Sequence, residues 1–289
     1  MADSQLTLPD GRTLSYIDIG DPDGTCVMHF HGAPSSRLVL DVYDDEFAEQ
    51  GVRVVAPDRP SYGGSSPQPG RTMAAWPTDV DALADALGID ECAVSGLSSG
   101  GPYVVACCAL LPDRVMGGLV VAGATDMSWL DAAEGYPAIE LEIMALDDEA
   151  AAIDFCAERF GPDGSGYFEE DPFEWPEPDE AFLSDERTGA HLAQAMGEAF
   201  AQGVDGYAQD MIVQGQPWPF EPGAIDCPVR VLHGELDDLV PMAHSRHTAA
   251  MIPDAELVIL PGHGHLSVLD EFPALAGEFV RSLGTSDTR

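Results

Sequence analysis

The period of the apolar positions changes several times along the chain. Strict alternation over Thr13-Leu14-Ser15-Tyr16-Ile17-Asp18-Ile19, preceded by Leu6-Thr7-Leu8 and the turn Pro9-Asp10-Gly11, predicts a β-hairpin over residues 5–20. Short continuous apolar runs follow at 26–30, 52–56, 92–94 and 118–124. Too brief for helices and apolar on both sides, they read as strands buried on both faces. Between them lie helical stretches at 37–50, closed by Gly51, at 78–87, closed by Gly88, and at 102–111. In the second, Val80, Leu83, Ala84 and Leu87 share one face. This alternation of strand and helix predicts an α/β fold, a mostly parallel sheet with helices on both faces.

The pattern breaks at residue 126. Residues 126–222 contain no convincing strand, yet carry over half of the chain's aromatic residues. Amphipathic helices are expected at 139–144, 150–160 and 191–202, and loops at 161–166 and 171–178. So many aromatics imply a small helical core of its own, and the segment is expected to be an inserted helical lid (cap). The α/β pattern resumes with a strand at 229–233, a helix near 244–251, a strand at 256–260 and a closing helix over about 267–283. The expected division is therefore a core of residues 1–125 and 223–289 with a lid of residues 126–222.

The most specific local signal is G-x-S-x-G at Gly96-Leu97-Ser98-Ser99-Gly100, between a predicted strand and a predicted helix. An abrupt strand-to-helix turn projects its apex side chain from the sheet edge and demands small residues two positions either side. An ordinary strand-to-helix turn is the bland reading of these five residues. Other strand ends decide between the two. The strand at 229–233 is followed by Gly234-Glu235-Leu236-Asp237-Asp238, and that at 256–260 by Gly262-His263-Gly264-His265. Functional residues of open parallel sheets gather at the carboxyl ends of strands, and the order here is Ser, Asp, His.

On these residues the chain resembles the lidded α/β-hydrolases over nearly its whole length. His31-Gly32-Ala33-Pro34 is similar to that family's HGxP oxyanion turn, and Asp58-Arg59-Pro60-Ser61-Tyr62-Gly63-Gly64-Ser65 to its D-x-P-G-x-G-x-S loop, with Ser61 where glycine is usual. Gly234-x-x-Asp237-x-x-Val240-Pro241 is similar to the acid turn, and Gly264-His265 to the histidine turn. The resemblance implies Ser98 as nucleophile, His265 as general base and Asp237 as its orienting acid. It implies an oxyanion hole from the backbone N–H groups of Ala33 and Ser99, with His31, Gly32, Gly96 and Gly100 in support. Competing candidates are His263 for His265, and Asp238 or Asp126 for Asp237; the family register favours the first of each. His29 reads as a packed strand histidine, and His233, His244 and His247 as structural or surface residues.

The expected activity is that of a serine hydrolase cleaving a small to medium carboxylic ester through an acyl-enzyme. Alternatives are an aminopeptidase of the proline-iminopeptidase type, using lid carboxylates such as Glu140, Glu142 or Glu158, and a carbon–carbon bond hydrolase. An alternative of another class is a ligand-binding sensor with a vestigial site. No cofactor is expected, and no H-E-x-x-H or Cys/His spacing suggests a metal. The six cysteines form no C-x-x-C pair and lie mostly in apolar runs, so buried free thiols are expected.

Composition adds one further expectation. The chain has 51 acidic residues against 12 basic ones, a formal charge of −39. All of the basic residues are arginine, and neither lysine nor asparagine occurs. In this it is similar to haloarchaeal proteins, since such charge is tolerable where the screening length falls from about 10 Å at 0.1 M salt to about 3 Å at 1 M. A cytoplasmic protein of an extreme halophile is expected. Its partner would be a small-molecule substrate, with nucleic acid and membrane both unfavoured; the oligomeric state is left open. The first residues lack a basic segment followed by an apolar one, so no signal peptide is expected.

Overall fold

In the computed structural model, which describes residues 4–168 and 173–284, side chains of successive strand positions point into two different cores. Val27, Ala93, Leu119 and Leu232 belong to one buried cluster, while Met28, Val94, Val120 and Val231 belong to another. This is the two-residue period of a sheet covered on both faces. The sheet has eight strands: β1 (Ser4–Thr7), β2 (Thr13–Gly20), β3 (Thr25–Phe30), β4 (Val52–Pro57), β5 (Cys92–Leu97), β6 (Val115–Val121), β7 (Val229–Gly234) and β8 (Ala255–Leu260). Their order is β1-β2-β4-β3-β5-β6-β7-β8. The β1–β2 and β2–β4 pairs are antiparallel and all others parallel. The α/β-hydrolase fold expected from the sequence is the fold observed.

The core helices are α1 (Asp44–Glu49), α2 (Trp76–Leu87), α3 (Gly101–Leu110), α9 (Met242–Met251) and α10 (Phe272–Leu283). Gly88 ends α2 at φ +66°, a left-handed stop that its lack of a side chain permits. The single helix expected over 37–50 is instead a 3-10 turn (Arg37–Tyr43) followed by α1. Arg37, Leu38, Val39 and Leu40 are all buried, so this stretch has no solvent face of the kind an amphipathic α-helix presents. The closing helix is likewise divided into a 3-10 turn (Ser267–Asp270) and α10. No helix among the described residues is long and apolar enough to cross a membrane. All six cysteines are free thiols, five of them buried.

Between β6 and β7 lie α4 (Ala138–Met144), α5 (Glu149–Phe160), α6 (Glu177–Ser184), α7 (Thr188–Ala199) and α8 (Asp205–Gln214). Two of these differ from expectation. The loop expected at 171–178, whose first two residues lie outside the described ones, gives way to α6 at Glu177, because Pro178 falls in the first helical turn where no N–H is needed. Helix α8 had no predicted counterpart. Its Gln209, Asp210 and Gln214 are buried polar residues, which erase the apolar stripe a sequence reading relies on. Ile143, Phe160, Phe200, Tyr207 and Met211 form a third core, which also takes in Tyr62 and Val240 from loops that follow β4 and β7. Phe182, Leu192 and Ala195 of α6 and α7 join a cluster of the sheet itself.

Candidate active site

The chain leaves β5 at Leu97 in an extended conformation and reverses at Ser98, which has φ +54°. That left-handed backbone is costly for a residue bearing a β-carbon and persists only where its surroundings impose it. The flanking glycines are sterically required. A β-carbon on Gly96 would lie 2.5 Å from the Gly100 carbonyl oxygen, and one on Gly100 would lie 2.1 Å from that of Phe30. Ser99 occupies the first turn of the helix that begins here, where backbone N–H groups have no acceptor within the helix.

The turn after β3 runs alongside. A β-carbon on Gly32 would lie 3.4 Å from that of Ser98. His31 is buried and braces this turn: its Nδ1 donates to the Gly32 carbonyl at 2.7 Å, and its Nε2 accepts from the Arg59 N–H at 3.1 Å. Burial, reinforced by the charge of Arg59, holds His31 well below the ordinary imidazole pKa. The Ala33 N–H donates to no acceptor among the described residues. In the neighbouring loop Ser61 takes φ +68°, so the position where the family usually has glycine does adopt the left-handed conformation glycine favours.

Beyond β7 and β8 the acid and histidine turns meet. His265 Nδ1 donates to Asp237 Oδ2 at 2.9 Å, while Asp237 Oδ1 accepts from the N–H groups of Leu239 and Val240, each at 2.9 Å. Burial works against charge on both partners. At His265 the Asp237 carboxylate, together with Asp179 and Glu140, outweighs it, so the pKa stands above the ordinary imidazole value, and the facing His265 holds Asp237 below the usual carboxylate range. His233 Nε2 lies 3.6 Å from the same Oδ2. Among the described residues no hydrogen bond joins Ser98 Oγ to His265.

The histidine turn is itself held from α6. Asp179 of α6, completely buried, accepts from the backbone N–H groups of His265, Leu266 and Ser267 at 2.7, 3.1 and 2.8 Å, and from Ser267 Oγ at 2.7 Å. Gly264 is needed for this approach, since a β-carbon there would lie 2.3 Å from Asp179 Oδ2.

Residues 27–277 match the alpha/beta hydrolase family. The chain belongs to that family. Among its relatives, it is 29% identical to a non-heme chloroperoxidase of Streptomyces lividans, over 92% of this chain and 95% of that one. It is 27% identical to a bifunctional esterase/perhydrolase of Acinetobacter calcoaceticus, over 90% and 92%. Among solved structures, a thermophilic esterase from Thermogutta terrifontis superposes with a TM-score of 0.75 at 23% identity, covering 98% of this chain and 99% of that one.

Within this hydrolase fold the competing candidates occupy other positions. His263 Nδ1 donates to the Ser267 carbonyl at 3.1 Å, within its own turn. Asp238 is exposed, and Asp126 accepts from the Ser128 N–H as a local turn. His29 is buried against Ser95, and burial pushes its pKa down to about 3. His244 is buried between the Thr125 N–H and the Ala132 carbonyl, and His247 stacks on Trp129 at 4.3 Å.

Of the carboxylates Glu140, Glu142 and Glu158 between β6 and β7, Glu142 and Glu158 are exposed and Glu140 is buried. Tyr136 stands beside Glu140 and His265 lies within its electrostatic reach; burial pushes its pKa up to about 7. Asp179 and Asp210 carry no mark in the sequence pattern. In a chain this rich in acid, nothing local separates a buried carboxylate from the many on the surface. Gly264 next to His265 was the one available sign, marking a place of close approach.

Proposed function

We propose that this hydrolase cleaves small to medium carboxylic esters through an acyl-enzyme on Ser98, and that residues 126–222 act as a lid over the site. The observation that carries the reading is the Asp237–His265 hydrogen bond at the same sheet edge as a serine forced into a left-handed turn. In this mechanism Ser98 Oγ attacks the ester carbonyl carbon while His265 Nε2 takes its proton. Asp237 keeps the other imidazole proton on Nδ1 and stabilises the imidazolium. The carbonyl oxygen becomes an oxyanion facing the N–H groups of Ala33 and Ser99. Collapse expels the alcohol with the proton from His265. Water, deprotonated by the same histidine, then releases the acid and restores Ser98.

The aromatic residues of the insertion suit an apolar acyl or alcohol group. The charge of −39 and absence of lysine suit work in concentrated salt. The experiment is turnover of a p-nitrophenyl acyl ester in roughly 2–4 M KCl, a range chosen to screen that charge, with organophosphonate labelling of Ser98 in parallel. Turnover lost in Ser98→Ala by about 10⁴-fold or more would support the reading. No turnover together with an unlabelled Ser98 would sink it.

Buried Glu140 favours a second reading, in which the substrate carries a free amine that pairs with this carboxyl. Comparing a proline anilide with a neutral ester separates the two. The names of the relatives also make hydrogen peroxide worth testing as an acyl acceptor in place of water in the same assay.

A further inference from the structure

Arg59 lies wholly inside the protein, and its guanidinium is spread over the turn that carries one of the two oxyanion donors. Its Nη1 donates to the His31 carbonyl and its Nη2 to the Gly32 carbonyl at 3.1 Å. The same Gly32 oxygen accepts from His31 Nδ1 at 2.7 Å. The Gly32 carbonyl and the Ala33 N–H belong to one peptide unit, which is trans. In a planar trans unit the C=O and N–H point in opposite directions. Holding the oxygen toward Arg59 therefore aims the N–H away from it. Donors on a carbonyl also polarise the amide, so that its N–H becomes a stronger donor in turn.

The arginine is held from the insertion. Asp210 of α8, also fully buried, accepts from Arg59 Nε at 2.9 Å and Nη2 at 2.6 Å. Arg71 and the hydroxyls of Tyr62 (3.0 Å) and Tyr103 (2.7 Å) complete the set around Asp210. Two guanidiniums on one carboxylate leave one positive charge in excess, packed against the rings of Tyr62 and Tyr103 at 5.3 and 4.9 Å. A buried ion pair contributes little stability relative to apolar residues of the same volume, so stability alone is a weak account of it. Its charge is felt at the turn: after burial, Arg59 is the next cause that keeps both His29 and His31 neutral.

We propose that Arg59, fixed by Asp210 of the insertion, is the positioning residue of the oxyanion hole, orienting and polarising the Gly32–Ala33 peptide so that the Ala33 N–H meets the developing negative charge. The inference rests on the ester-hydrolase reading above. It makes the insertion a working part of the catalytic step: α8 acts on the reaction through one arginine and one peptide bond.

The test measures kcat per active site, counted by organophosphonate titration, together with KM and the affinities of two ketone inhibitors. A trifluoromethyl ketone adds Ser98 Oγ and forms an oxyanion; the matching methyl ketone binds without doing so. In Arg59→Met, kcat per titrated site should fall by about 10–100-fold, less than the roughly 10²–10³ for outright loss of a donor. KM and methyl ketone affinity should hold, trifluoromethyl ketone affinity should fall with kcat, and the acid limb of the pH profile, set by His265, should stay in place. Asp210→Asn should move the same quantities in the same direction. Unchanged kcat per titrated site, or equal losses for both ketones, would overturn the proposal. Should Arg59→Met not fold, Arg59→Lys keeps the charge but loses the planar fork. A matched loss in kcat and trifluoromethyl ketone affinity is then required, and parent values for both would overturn it. Absence of turnover and of labelling in the parent protein would instead remove the ester-hydrolase reading itself.

Discussion

At the residue scale, the electrostatics of the Asp237–His265 pair set a pH dependence. In the proposed mechanism His265 serves as a base only when neutral, and its pKa stands above the ordinary imidazole value because Asp237, together with Asp179 and Glu140, outweighs the effect of burial. Activity should therefore rise with pH through a midpoint above about 6.5 and be lost as pH falls. Asp237→Asn removes the charge that raises it, so the limb should move to lower pH while kcat drops by roughly 10⁴-fold. A kcat/KM profile of parent and variant checks both directions. Glu140 gives a second pH effect, this time on stability. Its pKa in the folded protein, about 7, exceeds the usual carboxyl value, so the stability tied to its neutral form is fully present below about 4.3 and lost as pH rises through about 7. Glu140→Gln should leave the protein more stable than the parent above pH 7, by up to about 3 kcal/mol, and no more stable near pH 4. Urea denaturation at the two pH values reads the difference.

At the scale of elements, the strands and core helices were legible because their periods are dictated by local geometry. The run at 92–94 and the G-x-S-x-G that follows it announced β5, the elbow and α3, since the steric demands on Gly96 and Gly100 act within a few residues of Ser98. Helix α8 was not legible, because its buried Gln209 and Asp210 find their partners on Arg71, Arg59 and the loop at Gln68. Helix α6 was hidden by Pro178, though it delivers Asp179 to the histidine turn. Asp179→Asn keeps the shape of that side chain but places an NH₂ donor among groups that all donate. It should cost about 2–4 kcal/mol of stability by unmaking charge-assisted bonds. It should also lower kcat by about tenfold or more by loosening His265. Denaturant titration and steady-state kinetics at a temperature where the variant is folded separate the two effects.

For the whole molecule, the charge of −39 is the dominant fact. Among the twelve arginines, Arg37, Arg59 and Arg71 are buried and neutralise interior carboxylates, so they do little for the acidic exterior. Repulsion on that exterior must be relieved by solvent ions, which shorten its range to about 3 Å in molar salt. The proposed adaptation to concentrated salt predicts that secondary structure, followed by circular dichroism, is retained at about 4 M KCl and lost toward 0.1 M. Full retention at the low end would assign the charge another role. The buried Arg59–Asp210 pair is screened far less than surface charges, so unfolding at low salt should begin with the exterior repulsion and not with that pair.

The sequence by itself determined the fold class, the elbow and the order of the serine, aspartate and histidine turns, because each is written in short-range spacing and sterics. The family resemblance already favoured His265 over His263, and the tertiary structure sets that histidine against Asp237; only the tertiary structure placed Glu140 in the interior and joined Asp179 and Asp210 to the turns they hold. The physical reason is that a carboxylate's role depends on its burial and its partners, which lie up to 151 positions away in the case of Arg59 and Asp210. In a chain where acidic residues are everywhere, those few that work inside the protein are identical in sequence to the many that face water.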